Sequence, residues 1–176
     1  MAGCIVYDLD HYRIFPISVV VLNSLLIGTN ARANCIDDAA AYHHVNPALT
    51  HAIASVESCF SPVAYKGNAN GSEDIGLMQI NSSWLPTLSR FGISRAALFD
   101  GCVSADVGTG ILSQNISRLG LTWNAVGAYN AASPRKRVQY ARRVYADLLR
   151  FKPGVTPQSV LLGVIVPFAQ FPAVRL

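Results

Sequence analysis

Charge is what this sequence has least of. Only 14% of its 176 residues are Asp, Glu, Lys or Arg, against 51% hydrophobic. That balance is lean for a soluble domain, and the length suits one domain with a proper core and no second one. Long apolar runs are missing too. Residues Ile14 to Gly28 (IFPISVVVLNSLLIG) carry no charge but fall short of the ~20 residues that a spanning helix needs. Arg13 precedes this run, Ala31-Arg32-Ala33 follows it as a small-x-small signal, and residues 1–33 therefore read as a secretory signal peptide cut after Ala33. Asp8 and Asp10 dilute the positive charge ahead of it. Repeats and low-complexity tracts are absent, and no interleaving of aromatic with basic residues points to nucleic acid. His43 and His44 are adjacent and point apart on a helix, and His51 has no carboxylate four residues on, so neither a metal site nor any cofactor is expected.

Cysteine is sparse: positions 4, 35, 59 and 102. Nothing apolar precedes Cys4, so it is no lipobox, and it leaves with the leader. Three cysteines then remain in an oxidising compartment, which implies one pair and one odd thiol. The pairing expected is Cys35–Cys102, tying the mature N-terminus to the middle of the domain. Cys59 is expected to stay a small buried thiol. After Lys152, four prolines interrupt the tail 153–176 and no helical period survives them. Val160–Val166 is apolar but too short to cross a bilayer, and an appendage packed on the domain is expected. Without residues 1–33 the chain keeps a charge of +4, with seven basic residues from Arg135 to Lys152. Such spacing on a helix reads first as a solvated face, and secondly as a cationic surface favouring polyanions or an anionic envelope.

What is present is a succession of helices with short turns. Ile36–His43 forms a first helix. Asn46-Pro47 caps a second, whose Leu49, Ile53, Val56 and Phe60 recur at helical spacing. Residues 66–75 are rich in turn formers and too short for a full sheet, with room for a small hairpin. Ser83–Phe91 and Ser104–Leu119 read as helices. Thr122 caps a short helix reaching Tyr129, and Ser133-Pro134 opens a basic helix with Val138, Ala141, Tyr145 and Leu148 inward. The class is mostly α.

Of the few carboxylates, three fall between Glu57 and Asp74. Glu57 follows apolar Val56 at the C-terminal end of the buried helix. Burial and the negative end of the helix dipole both raise the pKa of a carboxyl there, as a general acid working near neutral pH requires. By position alone it reads equally as a surface glutamate at a helix end. Glu73 reads as solvent-exposed and uninvolved.

Glu57-Ser58, Gly76-Leu77-Met78-Gln79-Ile80 and Ala128-Tyr129-Asn130, in this order, resemble the three signatures of the lytic transglycosylase catalytic domain, a lysozyme-like, goose-type fold. The resemblance covers about Cys35 to Arg150 and is nearest to small secreted transglycosylases that accompany type III and type IV secretion machines. It implies a periplasmic enzyme of a Gram-negative bacterium, acting on peptidoglycan glycan strands beside a secretion apparatus. It implies that Glu57 protonates the glycosidic oxygen between MurNAc and GlcNAc, then takes the proton of the MurNAc 6-hydroxyl as that oxygen attacks C1. Ser58, Gly76, Met78, Gln79, Tyr129 and Asn130 become substrate-binding candidates, with Tyr129 hydrogen-bonding and orienting Glu57. Read from residue type alone, Gly76 allows close approach to a sugar or ends a turn, Gln79 suits hydroxyl and N-acetyl groups, and Met78 is cleft wall or core filler. The family continues its last motif with Ala-Gly, whereas here Ala131-Ala132 follows.

A second likeness is local. Asp74 stands 17 positions after Glu57, with Gln79-Ile80-Asn81-Ser82 and Trp84 behind it, which is similar to animal c-type lysozymes. That implies a hydrolase in which Asp74 stabilises or captures the glycosyl cation. As a bare residue Asp74 is a turn former, and the Ala128-Tyr129-Asn130 motif favours the transglycosylase. A non-catalytic glycan-binding or scaffold module is a third reading, against which the complete motif set argues.

Overall fold

The structure is a computed structural model and describes residues 30–151. The apolar leader run, Cys4 and the tail beyond Phe151 lie outside the described residues. Asn46 starts the helix that matters most. Its side chain accepts from the Ala48 amide at 2.9 Å, Pro47 needs no partner for its missing N–H, and α2 runs Pro47–Ser58. Leu49, Ala52, Ile53 and Ala54 pack inward. The helix stops because Cys59 and Phe60 turn left-handed, with φ of 52° and 62°. Their amides fold back onto the Ser55 and Ala54 carbonyls, satisfying groups that the helix end would leave bare. Glu57 is thereby fixed in the last turn.

Helix α1 spans Asn30–Tyr42, so the expected cleavage signal lies in its first turn. Cys35 is bonded to Cys102, with Cα atoms 5.0 Å apart, as expected. Cys59 is not the buried free thiol expected. It is exposed at the helix end and disulfide-bonded. A residue forced into the left-handed cap faces solvent, not core. His43 and His51 each meet an aspartate, Asp106 at 2.8 Å and Asp37 at 2.9 Å, clasping α1 to its neighbours.

A three-stranded antiparallel sheet follows: β1 Tyr65–Gly67, β2 Glu73–Ile75 and β3 Ile80–Asn81, in that order. Lys66 pairs with Asp74, and Asp74 with Asn81. The hairpin was legible, but the third strand was not, because two residues carry no alternation. Residues expected as one helix over Ser83–Phe91 divide into a 3₁₀ turn (Ser82–Trp84), α3 (Leu85–Leu88) and another 3₁₀ turn (Ser89–Phe91). Pro86 removes an amide from the middle of the expected helix, and Gly92 ends it at φ 73°. Helix α4, Gly101–Leu119, begins earlier than Ser104 because Asp100 caps it, accepting from the Cys102 and Val103 amides. Thr122 caps α5, Trp123–Ala128, and α6 runs Pro134–Phe151. The core joins Leu49 and Ile53 of α2, Ile75, Met78, Leu112 of α4, Val126 of α5, and Val144 and Leu148 of α6. Burying α6 against α2 and α5 brings its inner face alongside Glu57. No helix among the described residues is long and apolar enough to cross a membrane.

Candidate active site

Between the sheet and the helices lies an open groove of about 1040 Å³. The sheet side contributes Lys66, Asn68, Asn70, Asp74, Gln79, Asn81 and Trp84. The helical side contributes Glu57, Ile111, Tyr129, Asn130, Lys136 and Arg143. Both carboxylates singled out by sequence face this space, 17 residues apart in the chain but on opposite walls.

Glu57 is half-buried, and its carboxyl is pushed up to about 7. Burial is the main cause, with the Asp74 charge adding to it. A hydrogen bond from Tyr140 and the charges of Arg143 and Lys66 pull the other way. The Tyr140 hydroxyl donates to Glu57 Oε1 at 2.6 Å, and burial raises the phenol's own pKa well above its usual value, so it stays a donor. This corrects the expectation for Tyr129. The Tyr129 hydroxyl donates to the Met78 carbonyl at 2.8 Å, while its ring stacks on Tyr140, centroids 6.3 Å apart. Tyr129 thus supports the residue that orients the acid. Tyr140 escaped sequence reading because it sits next to the inward position Ala141 and looks like core. The signal was its hydroxyl, since a buried phenol needs a partner.

Asp74 is set in a polar lattice. It accepts from Asn81 Nδ2 at 2.7 Å and faces Lys66 Nζ at 3.4 Å. Asn81 Nδ2 also donates to Ser72 Oγ at 3.1 Å, and Asn81 Oδ1 accepts from the Ser83 amide at 3.0 Å. Glu73 is no bystander to the fold. Its carboxylate takes Tyr65 Oη at 3.0 Å and Arg95 Nε at 2.7 Å, which hold its pKa below the usual range, Arg95 foremost. It locks the sheet's outer face and does not line the groove.

Three motif residues stand behind the groove, not in it. Ser58 Oγ donates to the Leu77 carbonyl at 2.7 Å, fastening the end of α2 to the sheet. Gly76, at φ 78°, faces the Leu98 carbonyl: an added Cβ would lie 2.0 Å from that oxygen. What approaches it closely is backbone, not sugar. Met78 is fully buried, and its amide donates to Ser104 Oγ at 3.1 Å. Gly108 of α4 gives it room, for a Cβ there would meet Met78 Cβ at 2.6 Å and the Tyr129 hydroxyl at 2.9 Å. Gln79 does line the groove, in a left-handed conformation (φ 48°) that a non-glycine residue adopts only under outside constraint. Its Nε2 donates to the Gly76 carbonyl at 3.0 Å, leaving its oxygen for a ligand. Asn130 faces the groove. Ala131 and Ala132 are not among the positive-φ residues, so the turn after Asn130 needs no glycine. Among the described residues no group of three His, Cys, Asp or Glu could hold a metal.

A half-buried, protonatable glutamate, oriented by a phenol at the side of a long polar groove in a mostly helical fold, defines a glycosidic-bond-cleaving enzyme of the lysozyme-like class. The fold matches a solved structure of lytic transglycosylase Slt, an inactive mutant from Pseudomonas aeruginosa, at TM-score 0.57 and 23% identity, covering 69% of this chain and 24% of that one. Residues 34–146 match the transglycosylase SLT domain, and the chain belongs to that family. Invasion protein IagB of Salmonella typhi is 40% identical over 76% of this chain and 86% of its own length. Protein IpgF of Shigella flexneri is 39% identical over 68% and 82%. A peptidoglycan-binding-like protein of Escherichia coli O157:H7 is 35% identical over 75% and 84%.

Proposed function

We propose that this peptidoglycan lytic transglycosylase works in the periplasm, cleaving the β-1,4 bond between MurNAc and GlcNAc with Glu57 as its one acid–base group and leaving a 1,6-anhydro-MurNAc end. The observation that carries the reading is a glutamate held near pKa 7 inside the groove by burial, with Tyr140 on one oxygen. Tyr140 donates to Oε1, which leaves Oε2 to hold the acid proton. Glu57 gives that proton to the glycosidic oxygen as the C1–O bond breaks and the electron pair leaves with GlcNAc. The carboxylate so formed is poorly solvated and recovers a proton from the C6 hydroxyl as that oxygen bonds C1. Glu57 ends protonated, as it began, and no water is consumed.

The Cys35–Cys102 disulfide supports an oxidising compartment, and the word invasion in the name of the Salmonella relative supports local opening of the wall for a secretion-type apparatus. A hydrolytic second reading has one observation in its favour: Asp74 lines the same groove and its charge acts on Glu57. Its partners Asn81 and Lys66 equally suit a strand residue that braces the sheet. Mass spectrometry of fragments released from peptidoglycan separates the two. Anhydro ends that persist in Asp74→Asn are expected; reducing MurNAc ends lost with either Glu57→Gln or Asp74→Asn would establish the hydrolase instead.

A further inference from the structure

One face of α6 turns toward the groove and carries Lys136, Tyr140 and Arg143, at the i, i+4, i+7 spacing of a single helical stripe. Tyr140 holds the acid by a hydrogen bond, and neither cation is bonded to it. Lys136 is exposed and belongs to none of the ion pairs among the described residues. The Arg143 guanidinium meets the Val56 carbonyl at 3.5 Å and acts on Glu57 through its charge alone. Elsewhere on α6, Arg137 is committed to the Ala131 carbonyl at 2.9 Å and Arg150 to Asp147 at 3.1 Å. Asp147, the acid of this helix, is buried. Nothing on α6 therefore neutralises Lys136 and Arg143.

A neutral glycan offers these cations hydroxyl and carbonyl oxygens but no opposite charge to pair with. Its hydroxyl and acetamide groups are matched by the amides of the opposite wall, Asn68, Asn70 and Gln79. The negative charges of peptidoglycan are carboxylates hung on MurNAc: the lactyl group itself, or the peptide built on it. We propose that Lys136 and Arg143 form a carboxylate-reading edge, so that the groove selects glycan carrying these anions over a neutral GlcNAc polymer. The proposal rests on the reading of the groove as a peptidoglycan site. The two cations stand seven positions apart on the helix, about 10 Å along its axis. That span is comparable with one disaccharide, the interval at which MurNAc recurs.

The test is binding to the full chain carrying Glu57→Gln, which holds substrate without turnover. Three tetrasaccharides are compared at low salt: peptide-bearing, lactyl-only, and all-GlcNAc. The MurNAc-containing ligands should bind about tenfold more tightly than the neutral one, the worth of one charge-assisted contact. Lys136→Glu should remove most of that preference, and raised salt should weaken it. Arg142→Glu changes charge equally at an exposed position that does not line the groove, and should leave the preference intact. Preference confined to the peptide-bearing ligand identifies the peptide as the source; preference shared by the lactyl-only ligand identifies the lactyl group. Equal binding of all three, or equal loss in Arg142→Glu and Lys136→Glu, would overturn the proposal. If wild-type chain releases no fragment from cell wall while the preference persists, the proposed reaction fails and the edge stands. Cleavage without preference means the reverse.

Discussion

Two carboxylates face one groove from opposite walls, and their surroundings could hardly differ more. Glu57 sits in the last turn of a buried helix, with one phenol for a partner and a pKa pushed up to about 7. Asp74 sits on a three-residue strand, spanned by an amide on one oxygen and an ammonium on the other. Placement, not residue type, divides the work: the helix end withholds solvent and keeps a proton, while the sheet supplies donors that suit a negative charge. Asp74 in turn reaches across and helps keep Glu57 protonated.

The contrast breaks most completely with Glu57→Gln, which removes the acid and should lower kcat by about 10³-fold, within the range for a positioned general acid. Residual turnover near wild type would move the acid elsewhere. The same substitution should stabilise the fold at high pH. The folded pKa lies above the ordinary value of 4.5, so the native state holds the extra proton between the two values. Its contribution to stability is present below the unfolded pKa and is lost as pH rises through about 7. Glu57→Gln should therefore exceed wild type by up to about 3 kcal/mol at about pH 8 and match it near about pH 4 in denaturant titrations. A constant difference across that range would mean the carboxyl is not desolvated.

Tyr140→Phe is milder. It keeps the ring stack and removes the donor that lowers the Glu57 pKa, so kcat should fall about tenfold, the net worth of one hydrogen bond to a charged group. The alkaline limb of the pH–rate profile should move upward. A limb that stays put would separate Tyr140 from the titration. The smallest effect belongs to Asp74→Asn. Without the charge that raises the Glu57 pKa, the limb should move slightly downward, with turnover kept within a few-fold. Loss of turnover here would turn the comparison into a two-carboxylate site.

Where local rules govern, the chain was readable. Asn46, Thr122 and Pro134 mark helix starts that the structure keeps, because a cap depends on its immediate neighbours. The end of α2, with Glu57 in its last turn, followed from the apolar stripe. What stayed hidden depends on partners distant in sequence. Tyr140 meets Glu57 across 83 positions. Tyr129 points at Met78 and not at the acid, and Gly76 answers to Leu98 rather than to a sugar. Motif membership marked these residues as belonging near the site, but not which of them face it. Cys59 was misread because a small thiol at the helix end was expected to pack inward, whereas the left-handed cap leaves it exposed.

Asn81 links three pieces of the sheet wall through one amide. One hydrogen goes to Ser72 in the loop before β2, the other to Asp74 on β2, and the oxygen to the turn at Ser83. An amide has no further donor to offer, so the side chain cannot rotate without releasing all three. Mechanically the wall is a single piece: a pull on Asp74 is shared with the loop and the turn through this one side chain.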